Sequence, residues 1–176
     1  MSNRPRIAIS GKSGCGNSTV TRLVAEELDL RIINYTFKDM AVEKGISFDE
    51  MVELANSHPP KYDLELDCKL VEMAAAPGCV LGSRLAIWLL EDADLKVYLE
   101  APPEVRARRI ARREGVRFQE AHKAMVRRDK LDRERYQQIY HIDVNRYDFA
   151  DLILDAAALD QHEIARAVVQ ELASRS

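Results

Sequence analysis

Residues 11–19 read Gly-Lys-Ser-Gly-Cys-Gly-Asn-Ser-Thr. Gly11, Gly14 and Gly16 give the backbone room to curl, so that the amides of Lys12 to Thr19 (with Ser13, Cys15, Asn17 and Ser18 between them) point inward and form a nest for an anion. A helix starting directly after such a loop adds its positive end to the nest. The spacing fits the phosphate-binding pattern G-x-x-x-x-G-K-[ST] at every position but one, because Asn17 stands where lysine belongs. An asparagine keeps hydrogen-bond donors and brings no charge; a lost electrostatic contact to a transferring phosphoryl group costs about 3 kcal/mol. Lys12, one residue into the loop, is the nearest substitute cation. Ser18 falls where a hydroxyl normally reaches Mg²⁺.

Three further groups could handle phosphate. Arg84 follows an apolar run, and a guanidinium fork suits a phosphate dianion. Arg106, Arg108, Arg109, Arg112 and Arg113 fill one arc of roughly 160° at about 100° per residue, opposite Ala107, Ile110 and Ala111. Arg128, Asp132 and Arg135 sit at i, i+4 and i+7, hence on one helical face. Each group also has a plainer reading: a helix-start arginine, a solvated basic face, a surface ion-pair ladder.

The elements that must hold these residues follow from periodicity and punctuation. A buried strand at 6–10 precedes the loop, and an amphipathic helix over 18–28 follows it. A strand is expected at 31–35. From 37 to 76 the pattern is helical and interrupted: Gly45 closes one helix, Ser47 with Glu50 forms a capping box for the next, and Pro59-Pro60 breaks again. Strands follow at 79–83, 95–101 and 150–156, with a short helix at 84–91. Helices are expected from Pro102-Pro103 to Gly115, over 118–140, and after Asp160 as a cap. Strands alternating with helices predict an α/β fold, a parallel sheet covered on both faces.

The 176 residues suit one domain with a real core. A net charge of −3 gives no global attraction to a nucleic-acid polymer, although twelve of the 26 Lys and Arg lie between Glu104 and Arg135. Cys15, Cys68 and Cys79 are too dispersed for a disulfide framework and read as free thiols of a reducing cytoplasm. The histidines are scattered, which argues against structural zinc. The chain start carries no apolar signal region, and no run approaches the roughly 18 apolar residues of a membrane span.

With these stretches in view, the chain resembles the cytidylate kinase-like family in its short form. The resemblance rests on IAISGKSGCGNSTVTRLVAEEL, FKDMA-EKGISFDEM, VLGSRLAIWLL, ADLKVYLEAPPEVRARRIARREG and RRDKLDRERYQQIYHID, in that order. It implies a P-loop NTPase fold with a five-stranded parallel sheet in order 2-3-1-4-5, and transfer of the ATP γ-phosphate to CMP or dCMP with Mg²⁺. It also implies an acceptor-binding helical insertion at about 36–77 and a lid at about 104–118 within a single domain, 1–176. By the same resemblance Lys12, Arg84, Arg109 and Arg128 would be catalytic. Gly11 to Thr19 with Arg106, Arg109 and Arg113 would hold ATP, Ser18 the metal, and Lys38, Arg84, Arg128, Asp132 and Arg135 the acceptor. The partners would be small nucleotides only, with no membrane, on a monomer or weak dimer. Three positions depart from the family: Asn17; Gly82-Ser83, where an acid and a glycine are usual; and Lys38, where arginine is common. Two other readings remain open here: a nucleotide-binding regulatory protein without turnover, and a kinase for another nucleoside monophosphate.

Overall fold

The computed structural model describes residues 4–58 and 60–175, so Met1 to Asn3, Pro59 and Ser176 lie outside the described residues, and with them the chain start and half of the Pro59-Pro60 break. Strand β1 (Arg6–Gly11) runs into the glycine loop and then helix α1 (Asn17–Leu28). Strand β2 (Arg31–Ile33) leads to helices α2 (Phe37–Lys44), α3 (Phe48–Ser57) and α4 (Lys61–Ala74). Strand β3 (Cys79–Gly82), helix α5 (Ala86–Leu89) and strand β4 (Leu95–Glu100) follow. Helices α6 (Pro103–Glu114) and α7 (Phe118–Tyr140) form a hairpin before strand β5 (Leu152–Asp155) and helix α8 (Gln161–Ser174).

All the pairings are parallel and the order is β2-β3-β1-β4-β5. β1 is therefore central, with Ile9 opposite Gly82 on one side and Val97 on the other. Successive side chains alternate between the faces. Ile7 and Ile9 pack with Val20 and Val24 of α1 and Ile164 and Val168 of α8. Ala8 joins Met40, Met51, Leu70 and Ile87 from α2 to α5 on the other face. Both faces of the sheet are thus covered, as a parallel sheet requires.

Local signals set the helix ends. Ser47 accepts from the Glu50 amide while the Glu50 carboxylate accepts from the Ser47 amide, and Thr36 with Asp39 and Asp160 with Glu163 repeat the device. Gly45 and Gly115 end α2 and α6 in the left-handed conformation. Four strands are shorter than the sequence suggests, β3 and β4 by one residue and β2 and β5 by more. β2 stops at Ile33 because Thr36 must leave the sheet to cap α2, while Tyr35 turns its ring into the core and donates to Glu43 (2.8 Å). β5 begins only at Leu152, since the Asp151 carboxylate takes the Lys96 amide (2.7 Å) with its side chain.

Candidate functional site

The glycine loop lies at the carboxyl end of the central strand. Gly14 (φ 86°) and Gly16 (φ 96°) are left-handed, which only glycine adopts cheaply. A β-carbon on Gly14 would lie 2.9 Å from the Arg106 side chain, so α6 packs directly onto the loop. Asn17 turns inward. Its Nδ2 donates to the Gly11 carbonyl (2.6 Å), and its Oδ1 is buried without a partner among the described residues. The residue in the lysine position thus pins the start of the loop. Lys12 reaches sideways to Asn145 Oδ1 (2.8 Å), across a cavity of about 410 Å³ also lined by Tyr98, Arg106, Tyr147 and Asp155. Burial raises the pKa of the Cys15 thiol, against the pull of Arg106.

Ser13 is where two arginines meet. Arg84 donates to its hydroxyl (2.9 Å) and to Asp132 Oδ2 (2.6 Å). Arg106, buried at 4% exposure, donates to the Ser13 carbonyl (3.2 Å) and clamps Asp129 (2.7 Å). Asp129 and Asp132 are three apart on α7, so one helix holds both arginines against the loop. Arg109 bridges the Gly14 carbonyl (3.4 Å) and the Ala156 carbonyl (2.6 Å). Arg113 points outward to Glu114, and Lys38 is exposed over the Phe48 ring. Arg135 forks between Asp132 (2.9 Å) and Asp63 of α4 (3.3 Å). Arg128 makes no hydrogen bond or ion pair among the described residues. Much of its surface is exposed, yet chain crowds its guanidinium enough that desolvation, followed by the charge of Arg84, lowers its pKa.

Residues 6–158 match the cytidylate kinase-like family. The chain belongs to that family. It is 40% identical over 174 residues to cytidylate kinase 2 of Borrelia garinii subsp. bavariensis, covering 97% of this chain and 98% of the relative. It is 38% identical over 153 residues to a cytidylate kinase of Pyrococcus horikoshii, covering 86% and 79%. Among solved structures, shikimate kinase from Acinetobacter baumannii in complex with shikimate superposes with a TM-score of 0.66 at 17% identity, covering 98% and 95%, which speaks to the shared fold.

For this cytidylate kinase-like chain, sequence reasoning missed Asp129, Asp63 and Asn145, the anchors of Arg106, Arg135 and Lys12. Only Glu104 and Glu114 stand beside the five arginines of α6, a signal in the sequence that a partner had to come from another element. Ser18 is exposed in the first turn of α1, and no group of three His, Cys, Asp or Glu that could hold a metal occurs among the described residues. At the end of β3, Thr21 fills the space beside Gly82: a β-carbon there would lie 2.2 Å from the Thr21 hydroxyl. The chain can therefore offer Mg²⁺ a hydroxyl at Ser18, which fits an ion held mainly by nucleotide phosphates and water.

Proposed function

We propose that this chain is a nucleoside monophosphate kinase that transfers the ATP γ-phosphoryl group to CMP or dCMP. The observation that carries the reading is Ser13, a phosphate-loop residue bonded directly to Arg84, which shares Asp132 with Arg135 one helix away. A donor-phosphate loop and a group of acceptor-side arginines thus share a boundary, as direct transfer demands. The loop amides and Ser13 to Thr19 hold the ATP phosphates, with Lys12, Arg106 and Arg109 adding charge and Arg113 closing from the outer turn. Arg84 and Arg128 take the acceptor phosphate, and Lys38, Asp132 and Arg135 complete the acceptor site. An acceptor phosphate oxygen attacks the γ-phosphorus in line, and the bond to the leaving ADP oxygen breaks with no covalent enzyme intermediate. Catalysis of this kind is positioning and charge neutralisation. Mg²⁺, with Ser18 as its protein ligand, supplies further neutralisation of phosphate charge when bound.

In the same reading α2 to α4 form the acceptor insertion and α6 with the start of α7 forms the lid, within one domain of a monomer or weak dimer. Cys15, Cys68 and Cys79 are free, in keeping with a reducing cytoplasm. Among the described residues no helix is long and apolar enough to cross a membrane. The test is coupled ADP release with ATP, Mg²⁺ and each ribonucleoside monophosphate or dCMP. CMP or dCMP is expected to be turned over fastest. Tight ATP binding without transfer to any acceptor would assign the chain a regulatory role instead, and preference for another monophosphate would change the substrate.

A further inference from the structure

Asp63 occupies the first turn of α4, and only 7% of it is exposed. Favourable interaction with the helix N-terminus would explain an acid here, but not its burial. Its Oδ1 lies 3.3 Å from Arg135 Nη1, while Arg135 Nη2 holds Asp132 Oδ1 at 2.9 Å. Two atoms of this arrangement are unmet: Asp63 Oδ2 and Arg135 Nε are buried with no hydrogen-bond partner among the described residues. Asp63 is buried and Arg135 is 35% exposed, and such a half-satisfied pair is a poor stabilising device, since desolvation of the carboxylate offsets much of the attraction.

We propose that Asp63 is a positioning residue for the acceptor, acting through Arg135, so that α4 takes part in recognising the nucleoside end of the substrate. The proposal rests on the kinase reading. Arg135 is flanked by the carboxylates of Asp63 and Asp132, which neutralise it and repel a phosphate dianion. Arg128, with no carboxylate paired to it, is the better phosphate ligand. Both unmet atoms are enclosed while the Arg135 side chain is 35% exposed, so a substrate meets the outer part of a fork whose angle the Asp63 carboxylate sets.

The experiment is steady-state kinetics on the full chain with CMP and ATP varied separately. Asp63→Asn is expected to raise the CMP KM about tenfold, with kcat at saturating CMP and the ATP KM within about twofold. Asp63→Glu is expected to recover most of the loss, and Arg135→Gln added to Asp63→Asn to cause little further loss. An unchanged CMP KM, equal losses for both nucleotides, or fully additive effects of the two substitutions would overturn the proposal. Should Asp63→Asn not fold, Arg135→Lys, which keeps the charge but not the fork, must show the same split between KM and kcat. Should the parent turn over no monophosphate, the kinase reading falls separately, and calorimetric CMP binding must still show the tenfold loss in Asp63→Asn.

Discussion

Arg128 lies one turn before Asp132 on α7 and has no carboxylate on its guanidinium, unlike Arg84 and Arg135 on either side of that aspartate. Arg128→Ala is therefore expected to raise the CMP KM by one to two powers of ten while sparing ATP, since a hydrogen bond to a charged group is worth about 1.5–3 kcal/mol. Steady-state kinetics measures it. Gly82 makes a stability prediction. Gly82→Ala drives a methyl group against Thr21 and should cost roughly 1–3 kcal/mol in urea unfolding, as overpacking does. Thr21→Ala should return most of that loss. Lys12→Ala should weaken ATP binding about tenfold, equivalent to roughly 1.4 kcal/mol; unchanged ATP titrations would leave Lys12 as a tether to Asn145 only. At this scale the loop and the arginines were legible because their spacing is local. Their anchors were not: Arg106 finds Asp129 23 residues away and Lys12 finds Asn145 133 residues away. No periodicity reports a pairing that only the folded sheet creates.

At the level of elements, the α6–α7 hairpin joins a small apolar cluster of Ala107, Ile110, Ala121 and Met125 to one buried pair. The Arg106 side chain is 5% exposed and Asp129 21%, and together they hold α6 over the loop. Asp129→Ala leaves a buried guanidinium without its partner, which costs about 3–5 kcal/mol. Faster amide exchange confined to α6 and α7 is expected, with a weaker ATP affinity; exchange that rises uniformly through the sheet would show the pair to be part of the global core instead. Helix ends were readable from residues alone, since Ser47 with Glu50, Gly45 and Gly115 act within a turn of their own position. Strand ends were less so. Where β2 and β5 leave the sheet depends on a cap and on a side-chain bond to a neighbouring strand, and both lie at the sheet's edges.

For the whole molecule, acidity acts through Asp67. Burial pushes its pKa up to about 6, against a hydrogen bond from the Tyr140 hydroxyl, with Asp63 and Arg135 as its charged neighbours. An unfolded aspartate titrates near 3.9. Between about pH 4 and pH 6 the folded chain therefore binds the extra proton, and stability falls as pH rises through that window. Asp67→Asn should accordingly be the more stable protein at pH 7–8, by roughly 2 kcal/mol, with the advantage vanishing near pH 4. Thermal unfolding across that range measures it, and an advantage independent of pH would place the effect in packing. The order of the strands has a consequence for biosynthesis. β1, ahead of the sheet's other four strands in chain order, belongs in the middle, between β3 and β4. Its glycine loop is thus complete while Arg84, Arg106 and the Ala156 carbonyl that brace or border it are still to come. A nascent chain carries the loop long before it can carry the site, so nucleotide can reward folding only after Ala156 has been made.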